Sequence, residues 1–187
     1  MSAPPLPVAD LLAALERALR GLGVRWFLFG AQAAILYGSA RLSADVDVTV
    51  DPGPRSIAEL VAALARDFDP RVADPARFAE ETRVLPYTHR SSRMPLDVVL
   101  AGPGLEEQFF AGAREQLIGD VPVPVVAAED LIAMKILAGR PTDFDDVSAI
   151  LRARPSLDLD KARRTLELLE QALDRRDLVE TLARLKG

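Results

Sequence analysis

Apolar residues recur at helical spacing from Val8 to Leu22, with Leu11, Leu12, Leu15, Leu19 and Leu22 in one stripe and Gly21 and Gly23 marking its end. Arg25-Trp26-Phe27-Leu28-Phe29 is a short aromatic strand candidate that stops at Gly30, and Ala31 to Tyr37 predicts a short helix. From Asp45 to Val50 the alternation is strict, with Val46, Val48 and Val50 on one side, the period of a half-buried strand. Ser56 to Arg66 predicts a helix, while residues 67 to 82, with Pro70 and Pro75, read as irregular. Arg83 to His89 and Pro95 to Leu100 flank Arg90-Ser91-Ser92-Arg93 and predict a hairpin. Gly102-Pro103-Gly104 breaks the chain. A helix is expected near Leu105 to Ala113, then a small hairpin from Gln116 to Ile118 through Gly119-Asp120 to Val121–Val126. From Glu129 onward the pattern is helical, over 129–140, 143–153, 158–174 and 177–186, with breaks at Pro141 and Pro155. The whole predicts an α+β fold: a small mixed sheet of roughly three to five strands flanked by helices in residues 1–126, and a helical C-terminal part in residues 127–187.

Composition narrows the chemistry. The 187 residues are 49% hydrophobic and 27% charged, which suits one soluble globular domain. There is no cysteine, so disulfides and thiolate zinc sites are excluded. The single histidine, His89, excludes a multi-histidine metal site and leaves any serine–histidine triad to one residue in a hairpin. No apolar run reaches the roughly 18 residues of a membrane helix, so no membrane association is expected. The start, MSAPPLPVAD, lacks the basic and apolar regions of a signal peptide, which makes a cytoplasmic location the default expectation. The net charge is −5, whereas a general polyanion binder is more often basic. Only Lys135, Lys161 and Lys186 are lysines, so a lysine inside an apolar helix stands out against the arginine bias.

Asp45 and Asp47 are the sharpest feature. Residues two apart on a strand point to one face, so their carboxylates lie side by side and repel unless a cation intervenes. An ordinary strand with a solvated polar face, continued by Thr49 and Asp51, explains the same two residues, and Arg41 and Ser43 share that face if the strand extends back. Asp97 lies in Leu96-Asp97-Val98-Val99-Leu100, apolar on both sides, and is expected in a central, largely buried strand where a carboxylate needs a partner or a metal. Three hard oxygen ligands on neighbouring strands would suit Mg²⁺ or Mn²⁺; a salt bridge to an arginine is the alternative.

Gly30 lets a phosphate approach the backbone where a helix opens. Gly38-Ser39 is a second candidate for that turn, but it leaves too little chain before Asp45 for a helix and a return to the sheet. Lys135 sits in a helix apolar nearly all round, where it is either a cation for a triphosphate or half of a structural pair with an aspartate. In Arg140-Pro141-Thr142-Asp143-Phe144-Asp145-Asp146, Thr142 reads as an N-cap and the aspartates as first-turn residues favoured by the helix dipole.

Taken together, Phe29-Gly30-Ala31-Gln32, Gly38, Arg41, Ser43, Asp45-Val46-Asp47, Asp97, Leu131-Ile132-x-x-Lys135 and Arg140-x-x-Asp143-x-x-Asp146 resemble the minimal nucleotidyltransferases of the DNA polymerase beta superfamily. The likeness is to the AbiEii-type and MenT-type toxins of toxin–antitoxin systems, and it runs from about Trp26 to Leu151. It implies a nucleotidyltransferase fold and transfer of a nucleoside monophosphate from a nucleoside triphosphate to an acceptor hydroxyl. By that resemblance Asp45, Asp47 and Asp97 hold the metal. Gly30 and Ala31 form the triphosphate turn with Arg41 and Ser43 nearby. Lys135 meets the phosphates, Asp143 matches the last family aspartate, and Asp146 stands close to it. The chain departs at Ala31, where glycine or serine is usual; alanine keeps the backbone donor and loses a hydroxyl. The resemblance implies as acceptor a tRNA 3′ end, with a protein side chain or a small molecule such as an aminoglycoside as alternatives, and a cognate antitoxin as partner. The alternatives are a small-molecule, aminoglycoside-type transferase and a catalytically silent binding or antitoxin module.

Overall fold

The computed structural model describes residues 6–102 and 104–186; Pro103 of the predicted break and the first five residues lie outside them. Helix α1 (Pro7–Arg20) leads into β1 (Arg25–Phe29), α2 (Gly30–Leu36) and β2 (Val46–Asp51). Then come α3 (Ile57–Leu64), β3 (Phe68–Pro70), α4 (Pro75–Thr82), β4 (Val84–His89), β5 (Pro95–Leu100) and α5 (Leu105–Gly112). The hairpin β6 (Arg114–Ile118) and β7 (Val121–Val125) precedes four helices: α6 (Ala128–Ala138), α7 (Pro141–Ala153), α8 (Leu159–Leu173) and α9 (Leu178–Lys186).

The strands form one mixed sheet in the order β3-β4-β5-β2-β1-β7-β6, with β2 at its centre, antiparallel to β1 and parallel to β5. Val46, Val48 and Val50 are fully buried beside Leu96, Val98 and Leu100 of β5, so the valine stripe faces the core as its period demands. Helix α1 lies on that face, where Trp26 Nε1 donates to Glu16 Oε2 at 2.8 Å, and α3 and α4 pack alongside it. Helix α5 covers part of the opposite face, stacking Phe110 edge-on against Phe27 at 4.8 Å. Helix α6 packs against α2, α7, α8 and α9, and Tyr37 at the end of α2 donates its hydroxyl to the Val126 carbonyl at 2.6 Å. No described helix is long and apolar enough to cross a membrane.

The expected elements stand, with four corrections. The sheet has seven strands among the described residues, more than expected. The stretch read as irregular holds β3 and α4. Pro75 starts α4 rather than breaking it, because a first-turn position needs no N–H, and Asp74 caps the helix by accepting from the Arg77 amide at 3.1 Å. Pro70 is tolerated because β3 is an edge strand. The N-cap of α7 is Arg140 with Pro141 in the first turn, not Thr142. Finally, β2 begins at Val46, so Asp45, like Arg41 and Ser43, lies in the preceding loop and shares no strand face with Asp47.

Candidate active site

Three elements meet at one end of the sheet: the β1–α2 turn, the start of β2, and the start of β5. Phe29, Asp47, Asp97 and Pro86 are register partners across four adjacent strands, and alternation puts all four on one face. Asp47 and Asp97 are therefore direct neighbours, as two carboxylates on parallel strands. Asp45 is exposed one residue before β2. The Asp97 strand is not buried on both faces as expected: Leu96, Val98 and Leu100 are buried, but the Asp97 side chain is 37% exposed. Its described partner is Arg71, whose Nη2 donates to Oδ1.

Burial, then the neighbouring charges of Asp97 and Asp45, push the Asp47 carboxyl up to about 6, against the opposing pull of Lys135 and Arg140. Gly30 explains part of the burial. Its φ is +69°, and a Cβ there would lie 2.1 Å from Asp47 Oδ2, so only glycine lets the turn close over this carboxylate. The rival Gly38 serves packing instead: its Cβ would lie 2.4 Å from that of Ala153 on α7. Ala31 is buried in the first turn of α2.

Beside the carboxylates stands an ion network. Lys135 Nζ lies 3.1 Å from Asp143 Oδ1 and 2.7 Å from Asp146 Oδ2, and all three side chains are at most 5% exposed. Asp143 also accepts from Arg140 Nε at 2.7 Å. Asp146 accepts from Ser39 Oγ at 2.6 Å and from Arg41 Nε at 3.1 Å. Burial alone would raise both carboxyls, yet the bonds from Arg140 and Lys135 hold Asp143 below the usual range, and those from Lys135 and Ser39 do the same for Asp146. The first-turn dipole reading of these aspartates was therefore incomplete. Lys135 is the structural pair and, with Arg41 and Arg140, leaves the network one positive charge in excess. Ser43 is held by its carbonyl, which accepts from Gln32 Nε2 at 2.8 Å.

Sequence reasoning named Ser39 and Gln32 without the roles they have here, Ser39 bonding Asp146 across 107 positions and Gln32 holding the Ser43 carbonyl, and it missed Arg71, which reaches Asp97 across 26. It also missed Lys161, whose Nζ meets the fully buried Asp130 at 2.6 Å away from this site.

Asp47 and Asp97 fit a divalent cation in donor type and in placement, since a cation would relieve their repulsion. With Asp97 turned to Arg71, the side chains among the described residues do not converge as a ready set of three ligands.

The fold is shared with solved structures. The antibiotic-resistance factor ANT(2'')-Ia superposes with a TM-score of 0.61 at 17% identity, over 89% of this chain and 92% of that one. An antigenic nucleotidyltransferase-like protein from Paracoccidioides brasiliensis superposes with a TM-score of 0.58 at 19% identity, over 97% and 95%. The lincosamide antibiotic adenylyltransferase LnuA, bound to lincomycin, gives 0.53 at 14% identity, over 75% and 94%. At these identities the likeness establishes the fold. No curated protein sequence matches the chain. Residues 13–186 match the family described as nucleotidyl transferase AbiEii toxin, type IV toxin–antitoxin system, and across that span the chain is a nucleotidyltransferase belonging to this family.

Proposed function

We propose that the chain moves a nucleoside monophosphate from a nucleoside triphosphate to the 3′-terminal hydroxyl of a tRNA, as the toxin of a pair with a cognate antitoxin. The observation that carries the reading is the side-by-side placement of Asp47 and Asp97 on one open sheet face, beneath a glycine turn and beside a cationic network. Asp45, Asp47 and Asp97 would hold Mg²⁺ or Mn²⁺, whose role when bound is to neutralise phosphate charge at the reacting phosphorus. The Gly30 turn, with Ala31 behind it, would offer its backbone N–H groups to the triphosphate. Arg41 and Arg140 are the exposed cations of the network and face the β- and γ-phosphates, while Lys135 holds Asp143 and Asp146, which in turn hold those arginines. Ser43 fixes the loop between them. The acceptor oxygen forms a bond to the α-phosphorus, the bond from that phosphorus to the bridging oxygen breaks, and pyrophosphate leaves. Asp97 takes the hydroxyl proton. The helices from residue 127 onward complete the site, because Lys135, Arg140, Asp143 and Asp146 all belong to them.

The test incubates the full-length protein with each α-labelled nucleoside triphosphate, Mg²⁺, total tRNA and, in parallel, an aminoglycoside. Labelled tRNA that disappears with Asp47→Asn is the expected result. Label on the aminoglycoside alone would replace the acceptor. No transfer to either, by a folded protein that binds nucleotide, would refute the proposal.

A further inference from the structure

We infer that Arg71 is a further residue of this site, the positioning partner and resident counter-charge of Asp97; the inference rests on the reading of Asp97 as a metal ligand. Strand β3 pairs Phe68 with His89, Asp69 with Thr88 and Pro70 with Tyr87. The Arg71 amide then donates to the Pro86 carbonyl at 2.9 Å, so the ladder continues one residue past the end of the strand. Pro86 pairs with Asp97, and Asp97 with Asp47. One row across the sheet therefore reads Arg71, Pro86, Asp97, Asp47, Phe29. The proline ring is short and carries no polar group, so the guanidinium passes over it to the carboxylate beyond. The contact is made to Oδ1 alone. The arginines of the β4–β5 turn are engaged elsewhere, Arg90 with Asp69 Oδ1 at 2.7 Å and the Arg66 carbonyl at 2.7 Å, and Arg93 with Asp69 Oδ2 at 3.9 Å.

Asp97 is thus flanked by a like charge on one side and a cation on the other. The arginine turns the carboxylate and offsets its charge while Asp47 repels it. A divalent ion between the two aspartates has to work against that resident cation. Metal alone should then bind more weakly than the carboxylates would allow, and loss of the arginine charge should tighten it. A unit charge about 6 Å from a divalent ion, on the far side of the carboxylate that it contacts, changes affinity by about tenfold in a water-like medium.

The experiment is calorimetric titration of full-length protein with Mn²⁺ without nucleotide, for wild type, Arg71→Gln, Arg71→Lys and Asp97→Asn. Arg71→Gln should bind Mn²⁺ about tenfold more tightly and Arg71→Lys close to wild type. At saturating metal, Arg71→Gln should lower kcat for nucleotide transfer with little change in the KM for the triphosphate, because Asp97 is no longer held. Both arginine variants should melt near wild type, since an ion pair exposed on both sides contributes little stability. Unchanged or weaker Mn²⁺ binding by Arg71→Gln overturns the inference. If Asp97→Asn weakens binding while Arg71→Gln matches wild type, the Asp97 reading stands and Arg71 alone is wrong. If Asp97→Asn binds Mn²⁺ like wild type, Asp97 is no ligand and both fall.

Discussion

Replacing Lys135 with methionine tests how the ion network is built. The lysine side chain is 5% exposed, and the two carboxylates it meets, at 3.1 and 2.7 Å, are each 1% exposed. Methionine fills the stem volume but leaves both carboxylates without the ammonium between them. Removing one partner of a buried ion pair costs about 3–5 kcal/mol. Arg140, Arg41 and Ser39 remain in place, which puts the loss at the lower end, about 3 kcal/mol. For a domain of this size each kcal/mol moves the melting temperature by about 2–4 °C, so Lys135→Met should melt roughly 6–12 °C below wild type by circular dichroism. Adding Asp146→Asn removes one of the stranded charges, so the double variant should be less destabilised than the sum of the singles, with a coupling of about 1 kcal/mol or more. Below its melting point, Lys135→Met should also slow the proposed nucleotide transfer about 10²–10³-fold, because the network loses the one positive charge it holds in excess. A variant that melts within about 2 °C of wild type, or that shows additive losses, would refute the buried network as the source of order here.

Two further outcomes follow from the same geometry. Gly30→Ala places a Cβ 2.1 Å from Asp47 Oδ2 at a φ of +69°. It should lower the melting temperature and abolish the stabilisation expected of the wild type with Mg²⁺ and nucleotide; an unchanged ligand-induced shift would show that the turn does not close over Asp47. The raised Asp47 carboxyl sets a pH dependence. Between the ordinary aspartate value near 4 and about 6, the folded state keeps a proton that the unfolded chain has released, so metal-free stability falls as pH rises through that window. Asp47→Asn should remove the decline, as read by urea unfolding at stepped pH, and parallel curves for the two proteins would contradict it. The lowered Asp143 and Asp146 act oppositely: their stability is present above the ordinary aspartate range and is lost as pH falls below it, in both proteins.

What the sequence disclosed depended on how local each signal was. The strict alternation after Asp45 located β2 and its core face, because period two is set by neighbouring residues alone. Asp47 on that strand, Asp45 just before it and Asp97 on β5 were visible as residues out of character with their surroundings. Their adjacency is a fact of register, which pairs residues 50 positions apart along the chain. Arg71 gave no signal at all, since it lies in a stretch without period and meets Asp97 only through the ladder of β3 and β4. Pro75 misled because a proline breaks a helix interior yet favours a helix start. Lys135 stood out by composition, but whether it faced a phosphate or an aspartate depended on how α6 packs against α7.

The bond between Arg41 and Asp146 joins residues 105 positions apart, and Ser39 waits for the same carboxylate across 107. During synthesis the chain emerges from its N-terminus, so the carboxylates of β2 and β5 are complete long before α6 and α7 exist. The loop that carries Arg41 and Ser43 cannot be fixed by Asp146 until the last quarter of the chain has folded onto the sheet. A growing polypeptide therefore carries its acidic cluster without the cationic wall that faces it. Contacts of such long sequence separation are among the late ones to form. For a protein of a toxin family this timing means that a chain cut short before α7 is a fragment in which the loop of Arg41 and Ser39 has no Asp146 to hold it.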